Sequence, residues 1–116
     1  MAQHNDRGKE GEQEACLFLT LRGYHLLARN WRSSHHEIDI IADYYGEIVF
    51  VEVKTRRNED FLPATAAVDQ EKRENVRAAA RHFMHLHQLD APFRFDIITV
   101  VGERRPYTIR HFVAAF

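Results

Sequence analysis

Three ionisable residues around one predicted hairpin have the types and spacing for phosphoryl chemistry: Asp39, Glu52 and Lys54. Residues 37–43 (EIDIIAD) and 47–54 (EIVFVEVK) read as strands rich in β-branched residues, joined through Tyr44-Tyr45-Gly46. A two-residue loop at Tyr45-Gly46 pairs Tyr44 with Glu47, and a four-residue loop pairs Asp43 with Ile48. Both turns give the same register. That register sets Asp39 across from Glu52 and Glu37 across from Lys54. Alternation then places Glu37, Asp39, Ile41, Ile48, Phe50, Glu52 and Lys54 on one face, and Ile38, Ile40, Ala42, Val49, Val51 and Val53 on the other. Directly opposed side chains have Cβ atoms about 4.5–5.5 Å apart, and like charges there repel. The Asp39–Glu52 pair therefore calls for a counter-charge. A divalent cation supplies one, because Mg²⁺ takes one or two carboxylates and keeps several waters. Lys54, two residues beyond Glu52, is placed to position or activate a water or to meet charge developing on a phosphate. The plainer alternative is a solvated strand end with Glu37–Lys54 as an ordinary ion pair.

The elements that must position these groups are legible on either side. Asn5 or Asp6 can cap a helix running to about Arg22, with Ala15, Phe18, Leu19 and Leu21 inward and Gly23 ending it. Tyr24 to Asn30 reads as a strand. Residues 55–67 read as a polar loop, and Asp69 caps a second helix from about Gln70 to His87. A strand from about Phe93 to Val101, a turn bracketed by Gly102 and Pro106, and a strand from Tyr107 to Val113 follow. The order α-β-β-β-α-β-β predicts an α/β fold with a central mixed sheet flanked by helices. The hairpin is apolar on both faces near its turn, as expected of strands covered on both sides.

The 116-residue length predicts one domain spanning residues 1–116. A hydrophobic fraction of 45% and a charged fraction of 28% exclude a disordered chain. No apolar run approaches the ~20 residues of a membrane span. The polar opening MAQHNDRGKEGEQEA lacks the apolar core of a signal peptide, and the expectation is a soluble cytoplasmic protein. The single Cys16 excludes an internal disulfide and a thiolate-only metal site; beside Ala15 it reads as a small core residue. Sixteen basic and 17 acidic residues give a net charge of −1, so no global field advertises a polyanion partner. The basic residues are nonetheless mostly Arg, with Lys9, Lys54 and Lys72 the only lysines. Arg favours planar, bidentate contacts with carboxylate or phosphate.

Arg73, Arg77, Arg81 and His85 recur every fourth residue, which makes one stripe on the second helix. As a phosphate-tracking face, the stripe would be extended by Lys54, Arg56 and Arg57. As a solvated face, it would be neutralised by Asp69→Arg73 and Glu74→Arg77 pairs. His35-His36 with His82, His85 and His87 lacks the clustered four-ligand spacing of structural zinc. Trp31 reads as packing rather than as a base-stacking platform, and Gly11 is too isolated to form a phosphate loop.

Asp39, a hairpin, then Glu52-Val53-Lys54 resembles the metal-dependent nuclease signature PD-(D/E)xK. The wider text is more specific. Gly11-Glu12 with Ala15, Gly23-Tyr24, Asn30-Trp31-Arg32, Glu37-Ile38-Asp39, residues 49–56 (VFVEVKTR), Ala67-Val68, Lys72 and Arg94-Phe95-Asp96 fall in order. That run, over about residues 8–101, resembles the YraN-like family of small bacterial proteins, largely uncharacterised, whose fold is similar to that of archaeal Holliday-junction resolvases and restriction-type endonucleases. The resemblance implies a restriction-endonuclease-like αβββαβ core that binds Mg²⁺, or Mn²⁺, and acts on DNA, including branched DNA. Asp39 and Glu52 would be metal ligands with the Val53 carbonyl as a third. Lys54 would be the catalytic lysine, Glu12 an acidic residue directed into the site from the first helix, and Glu37 a support behind the ligands. Lys72, Arg73, Arg77, Arg81, Arg56 and Arg57 would contact nucleic acid. The sequence departs from the family pattern at His36, where a Gly precedes the Glu-Ile-Asp triplet, and at Phe61-Leu62, which replace a Phe-Gly; the bend and the loop there differ accordingly.

Two readings of different class follow: a metal-dependent endonuclease, or a nucleic-acid-binding accessory module that keeps the nuclease fold without cleavage. A two-fold homodimer would double the basic surface and suit a symmetric junction. A plain protein-interaction domain has nothing specific in its favour.

Overall fold

The computed structural model describes residues 2–34, 36–58 and 70–116. Helix α1 spans Ala2–Leu21, and strands β1, β2 and β3 span His25–Ser33, His36–Tyr44 and Glu47–Arg56. Helix α2 spans Gln70–Leu86, and β4 and β5 span Phe93–Val101 and Thr108–Phe112. The element order is the one expected. The five strands form one sheet in sequence order. Every neighbouring pair is antiparallel except β3–β4. That parallel pair needs a crossover connection, which contains α2.

The two helices cover opposite faces. In α2 the buried residues Val76, Ala79, Ala80, Phe83 and Met84 repeat at three- and four-residue steps. They pack on Ile38, Ile41, Ile48, Phe50 and Phe95. In α1, Ala15, Cys16 and Leu19 pack on Ile40, Ala42, Val49, Val51, Ile98 and Val100. Leu21, expected inward, is 74% exposed because the helical period turns it away from the Ala15–Leu19 stripe. Gly23 adopts φ +91°, and the Tyr24 N–H returns to the Leu19 carbonyl at 3.0 Å, closing the helix. The helix begins earlier than the expected Asn5 or Asp6 cap. The Asp69 cap and the Phe61-Leu62 departure lie outside the described residues. The result is the restriction-endonuclease-like α/β arrangement, with a mixed sheet between two helices. No helix among the described residues is long and apolar enough to cross a membrane.

The hairpin turn has the expected geometry. Tyr45 and Gly46 both take positive φ (52° and 90°), and the Gly46 N–H bonds the Asp43 carboxylate at 2.9 Å. The expected register holds from Tyr44↔Glu47 to Ile40↔Val51 and stops there. Asp39 is not laddered against Glu52, nor Glu37 against Lys54. The same stretch of β2 faces an irregular β1, whose register against β2 shifts between Leu26 and Ala28. Asn30, flanked by the pairs Arg29↔Ile40 and Trp31↔Ile38, is held at φ 51°. Ile38 packs on the α2 side with Ile41 and Phe50, not beside Ile40 as strict alternation required. At the other end of β2, His36 pairs with Ser33, and Ser34 (φ 59°) takes the left-handed position.

Candidate active site

Where β2 and β3 part, Asp39 fills the gap. Its Oδ2 accepts the Val53 N–H at 2.8 Å, replacing the carbonyl that a continued ladder would have offered. Glu52 lies next to it on β3, 5% exposed. Glu52 Oε1 is 3.5 Å from Lys72 Nζ on α2, and among the described residues its buried Oε2 has no hydrogen-bond partner. Burial, and then the Asp39 charge, push the Glu52 acid up to about 7, against the pull of Lys72 and Lys54. Asp39 and Glu52 thus share one site although the ladder does not pair them. Lys54 follows two residues on, half-buried and close enough to act on Glu52 electrostatically.

Helix α1 delivers Glu12. The helix can approach β3 closely because residue 11 is glycine: a Cβ there would meet Thr55 Oγ1 at 2.3 Å. Gly11 is therefore a close-approach residue rather than part of a phosphate loop. Glu12 is drawn toward Arg29 (4.0 Å) and the Asn30 side chain. Burial and the Asp39 charge raise its pKa, with a smaller push from Glu37. The acidic residues of the motif and of α1 accordingly sense one another across the sheet. Glu37 itself pairs with Arg32 at 3.6 Å, so the expected Glu37–Lys54 partnership gives way to one with its ladder neighbour in β1. Among the described residues no three His, Cys, Asp or Glu side chains converge into a cage. A cation here would rest on two carboxylates, a backbone carbonyl and water, which is the sparse protein donor set that Mg²⁺ accepts. The orphaned Glu52 oxygen is consistent with that fit.

The expected nucleic-acid residues divide. Lys72 belongs to the site. Arg57 and Arg81 are exposed, and Arg56 bonds the Thr55 carbonyl at 2.9 Å. Arg73 and Arg77 lie 5.7 and 5.6 Å from the Phe116 ring, which is stacked on Phe95. Those two arginines therefore help cover the C-terminal aromatic residue. Trp31 packs as expected, edge-on to Phe83 at 5.3 Å. Cys16 is buried, and burial raises its thiol pKa.

Sequence reasoning assigned no role to Arg94 and Asp96, although it noted both. Asp96 is fully buried on the α1 side of the sheet. It accepts from Arg94 Nε (3.0 Å) and the Ala114 N–H (2.9 Å), and its Oδ2 is 2.7 Å from His111 Nε2. Arg94 also reaches Glu47 and the Tyr24 hydroxyl, each at 2.8 Å. This network ties the hairpin turn, β4 and β5 together on the α1 face, whereas Glu52, one residue beyond Asp96's ladder partner Val51, reaches Lys72 on α2. The signal available was two opposite charges at alternate positions of an otherwise apolar strand. An Asn inside a strand-like run, such as Asn30, likewise carries no mark of positive φ.

A family model described as uncharacterised protein family UPF0102 matches residues 11–100. A UPF0102 protein of Bacteroides thetaiotaomicron is 47% identical over 116 residues, covering 100% of this chain and 96% of its own length. One of Phocaeicola vulgatus is 44% identical with the same coverage. One of Flavobacterium psychrophilum is 42% identical, covering 100% of this chain and 98% of its own.

Proposed function

We propose, for a chain that belongs to the uncharacterised protein family UPF0102, a divalent-cation-dependent nuclease that hydrolyses phosphodiester bonds in DNA in the cytoplasm. The observation that carries this reading is the Glu52 side chain, buried beside Asp39 with one oxygen unpartnered among the described residues. An unsatisfied buried polar group costs about 1–3 kcal/mol, and more when charged. A neighbouring carboxylate adds to that cost. A bound cation would remove both penalties together.

Asp39, Glu52 and the Val53 carbonyl would hold Mg²⁺, or Mn²⁺ in its place. When bound, the cation would supply Lewis acidity at the phosphoryl oxygen and ease deprotonation of the attacking water. Hydrolysis adds one water across a P–O bond: its oxygen joins phosphorus and a proton ends on the leaving oxygen. Lys54 orients that water and meets the charge that develops on the phosphate. Glu12 helps orient groups on the Asp39 side.

Calorimetric titration with Mg²⁺ and Mn²⁺, comparing wild type with Glu52→Gln, is the test, followed by cleavage of linear and branched DNA. The expected result is binding lost in the variant and cleavage lost in Asp39→Ala. Cleavage by Asp39→Ala at the wild-type rate would overturn the assignment. A wild type that binds DNA but never cuts it would leave the non-catalytic module.

A further inference from the structure

Beside the carboxylate pair lies a cavity of 280 Å³ lined by Arg32, His36, Glu37, Lys72, Asn75 and Val76. It is built from the end of β1, the start of β2 and the first turns of α2. Four of its six lining residues carry hydrogen-bond donors or rings able to donate, two of them permanently cationic, against one carboxylate. That inventory suits an anion. The cavity is smaller than the roughly 300–1,000 Å³ of sites for drug-sized ligands, so it suits one phosphate group rather than a base pair.

Two contacts decide how an anion would be received. Arg32 Nε and Glu37 Oε2 are 3.6 Å apart with side chains 74% and 39% exposed, a loose, solvent-screened pair. Such a pair contributes about 0–1 kcal/mol. A phosphate, which can take a guanidinium through two parallel hydrogen bonds, competes for Arg32 on favourable terms. The second contact is Lys72, which both lines the cavity and lies 3.5 Å from Glu52 Oε1. One ammonium group thus joins the cavity to the carboxylate pair.

We infer that this cavity is a phosphate subsite: it takes a backbone phosphate of a nucleic-acid strand adjacent to the phosphate at Asp39 and Glu52, with Arg32, Asn75 and His36 as its contacts and Lys72 shared between the two. Its position relative to the cleaved bond rests on the nuclease reading above. Its preference for a phosphate does not.

The test is fluorescence anisotropy with labelled single-stranded and duplex oligodeoxynucleotides, in EDTA so that nothing is cut, across a salt series. Arg32→Ala should weaken binding several-fold and flatten the slope of log K against log salt by about one. Asn75→Asp, which adds a charge without removing bulk, should weaken it about tenfold, as a misplaced like charge does. Arg22→Ala, at the far end of α1, should change neither quantity by comparison. Wild-type affinity and slope in both cavity variants would overturn the subsite, as would a wild type that binds neither oligonucleotide. Cleavage with Mg²⁺ is scored separately on the same proteins. A wild type that cuts while both variants bind normally sinks the subsite alone. A wild type that cuts nothing, with binding that falls in both variants, sinks the hydrolase reading alone.

Discussion

The Asp39 carboxylate accepts the Val53 backbone N–H at 2.8 Å in the gap where β2 and β3 cease to pair. Asp39 therefore has two effects that substitution can separate. Its oxygen satisfies a partly buried donor, and its charge opposes Glu52. Asp39→Asn keeps an acceptor and removes the charge, so the metal-free protein should become more stable at pH values above about 7. Asp39→Ala also removes the acceptor, which costs about 1–3 kcal/mol and cancels the gain. Urea unfolding in EDTA checks this: the Asn variant should exceed the Ala variant by about 1–2 kcal/mol. Equal stability of the two would mean that the Val53 bond contributes nothing. Neither variant should cleave DNA.

Glu52 predicts a pH dependence with a definite sign. Its acid is raised from 4.5 to about 7 by burial first and the Asp39 charge second. The fold therefore binds this proton more tightly than the unfolded chain does. Ionised Glu52 costs stability above pH 7, and that cost is relieved as pH falls from about 7 toward the unfolded value. Glu52→Gln mimics the protonated form, so in EDTA it should be more stable than wild type near pH 8. At about 1.36 kcal/mol per pKa unit the advantage is on the order of 3 kcal/mol, and it should shrink to near zero only below the unfolded value, by about pH 4. Urea midpoints at the two pH values measure it. An advantage independent of pH would show that packing, rather than ionisation, separates the two proteins.

The sheet was legible because its signals are local. β-Branched runs marked the strands, and Tyr45-Gly46 set a turn whose register holds for five residue pairs. The spacing of Val76, Ala79, Ala80, Phe83 and Met84 likewise matches a single buried stripe. The carboxylates were legible as a pair but not in their geometry, because the ladder that should have opposed them ends one residue early. That ending comes with an irregular neighbouring strand, shifted in register between Leu26 and Ala28 and left-handed at Asn30, which no periodicity encodes. The role of Asp96 was hidden for the same reason: its partners are 2, 15 and 18 residues away in sequence and meet only when β5 folds back on β4.

Gly11 and Thr55 give a test of how α1 is seated. An alanine Cβ at position 11 would meet Thr55 Oγ1 at 2.3 Å, while Thr55 Cβ lies at 3.4 Å. Gly11→Ala alone should destabilise the protein by about 1–3 kcal/mol through overpacking, although alanine favours the helix. Thr55→Ala removes the obstructing hydroxyl and methyl. In that background the same Gly11→Ala change should be stabilising by about 1 kcal/mol, the ordinary helix-interior preference for Ala over Gly. The sign reversal in a thermal-unfolding double-mutant cycle is the result to look for. Additive effects would mean that α1 shifts freely and that Glu12 is not held by this contact.

Asp96 should prove the most sensitive polar residue in the chain for stability, while lying outside the chemistry. Burial alone would raise its pKa, but the bonds from His111, Arg94 and the Ala114 N–H outweigh burial and lower it below 3.8. Its stabilising contribution is therefore present above the unfolded value and is lost as pH falls through the lower folded value. Asp96→Asn leaves the half-buried Arg94 with Glu47 as its remaining charged partner among the described residues and weakens the tie to Ala114. Breaking a buried pair in this way costs about 3–5 kcal/mol. Urea unfolding near pH 7 should show a loss of that order, and the gap between variant and wild type should narrow in strong acid, where wild-type Asp96 is itself protonated. Mg²⁺ binding by whatever folded protein remains should be unchanged, because the network lies on the α1 face of the sheet while Glu52 faces Lys72 of α2. A variant within about 1 kcal/mol of wild type near pH 7 would show that the network is easily replaced by its neighbours.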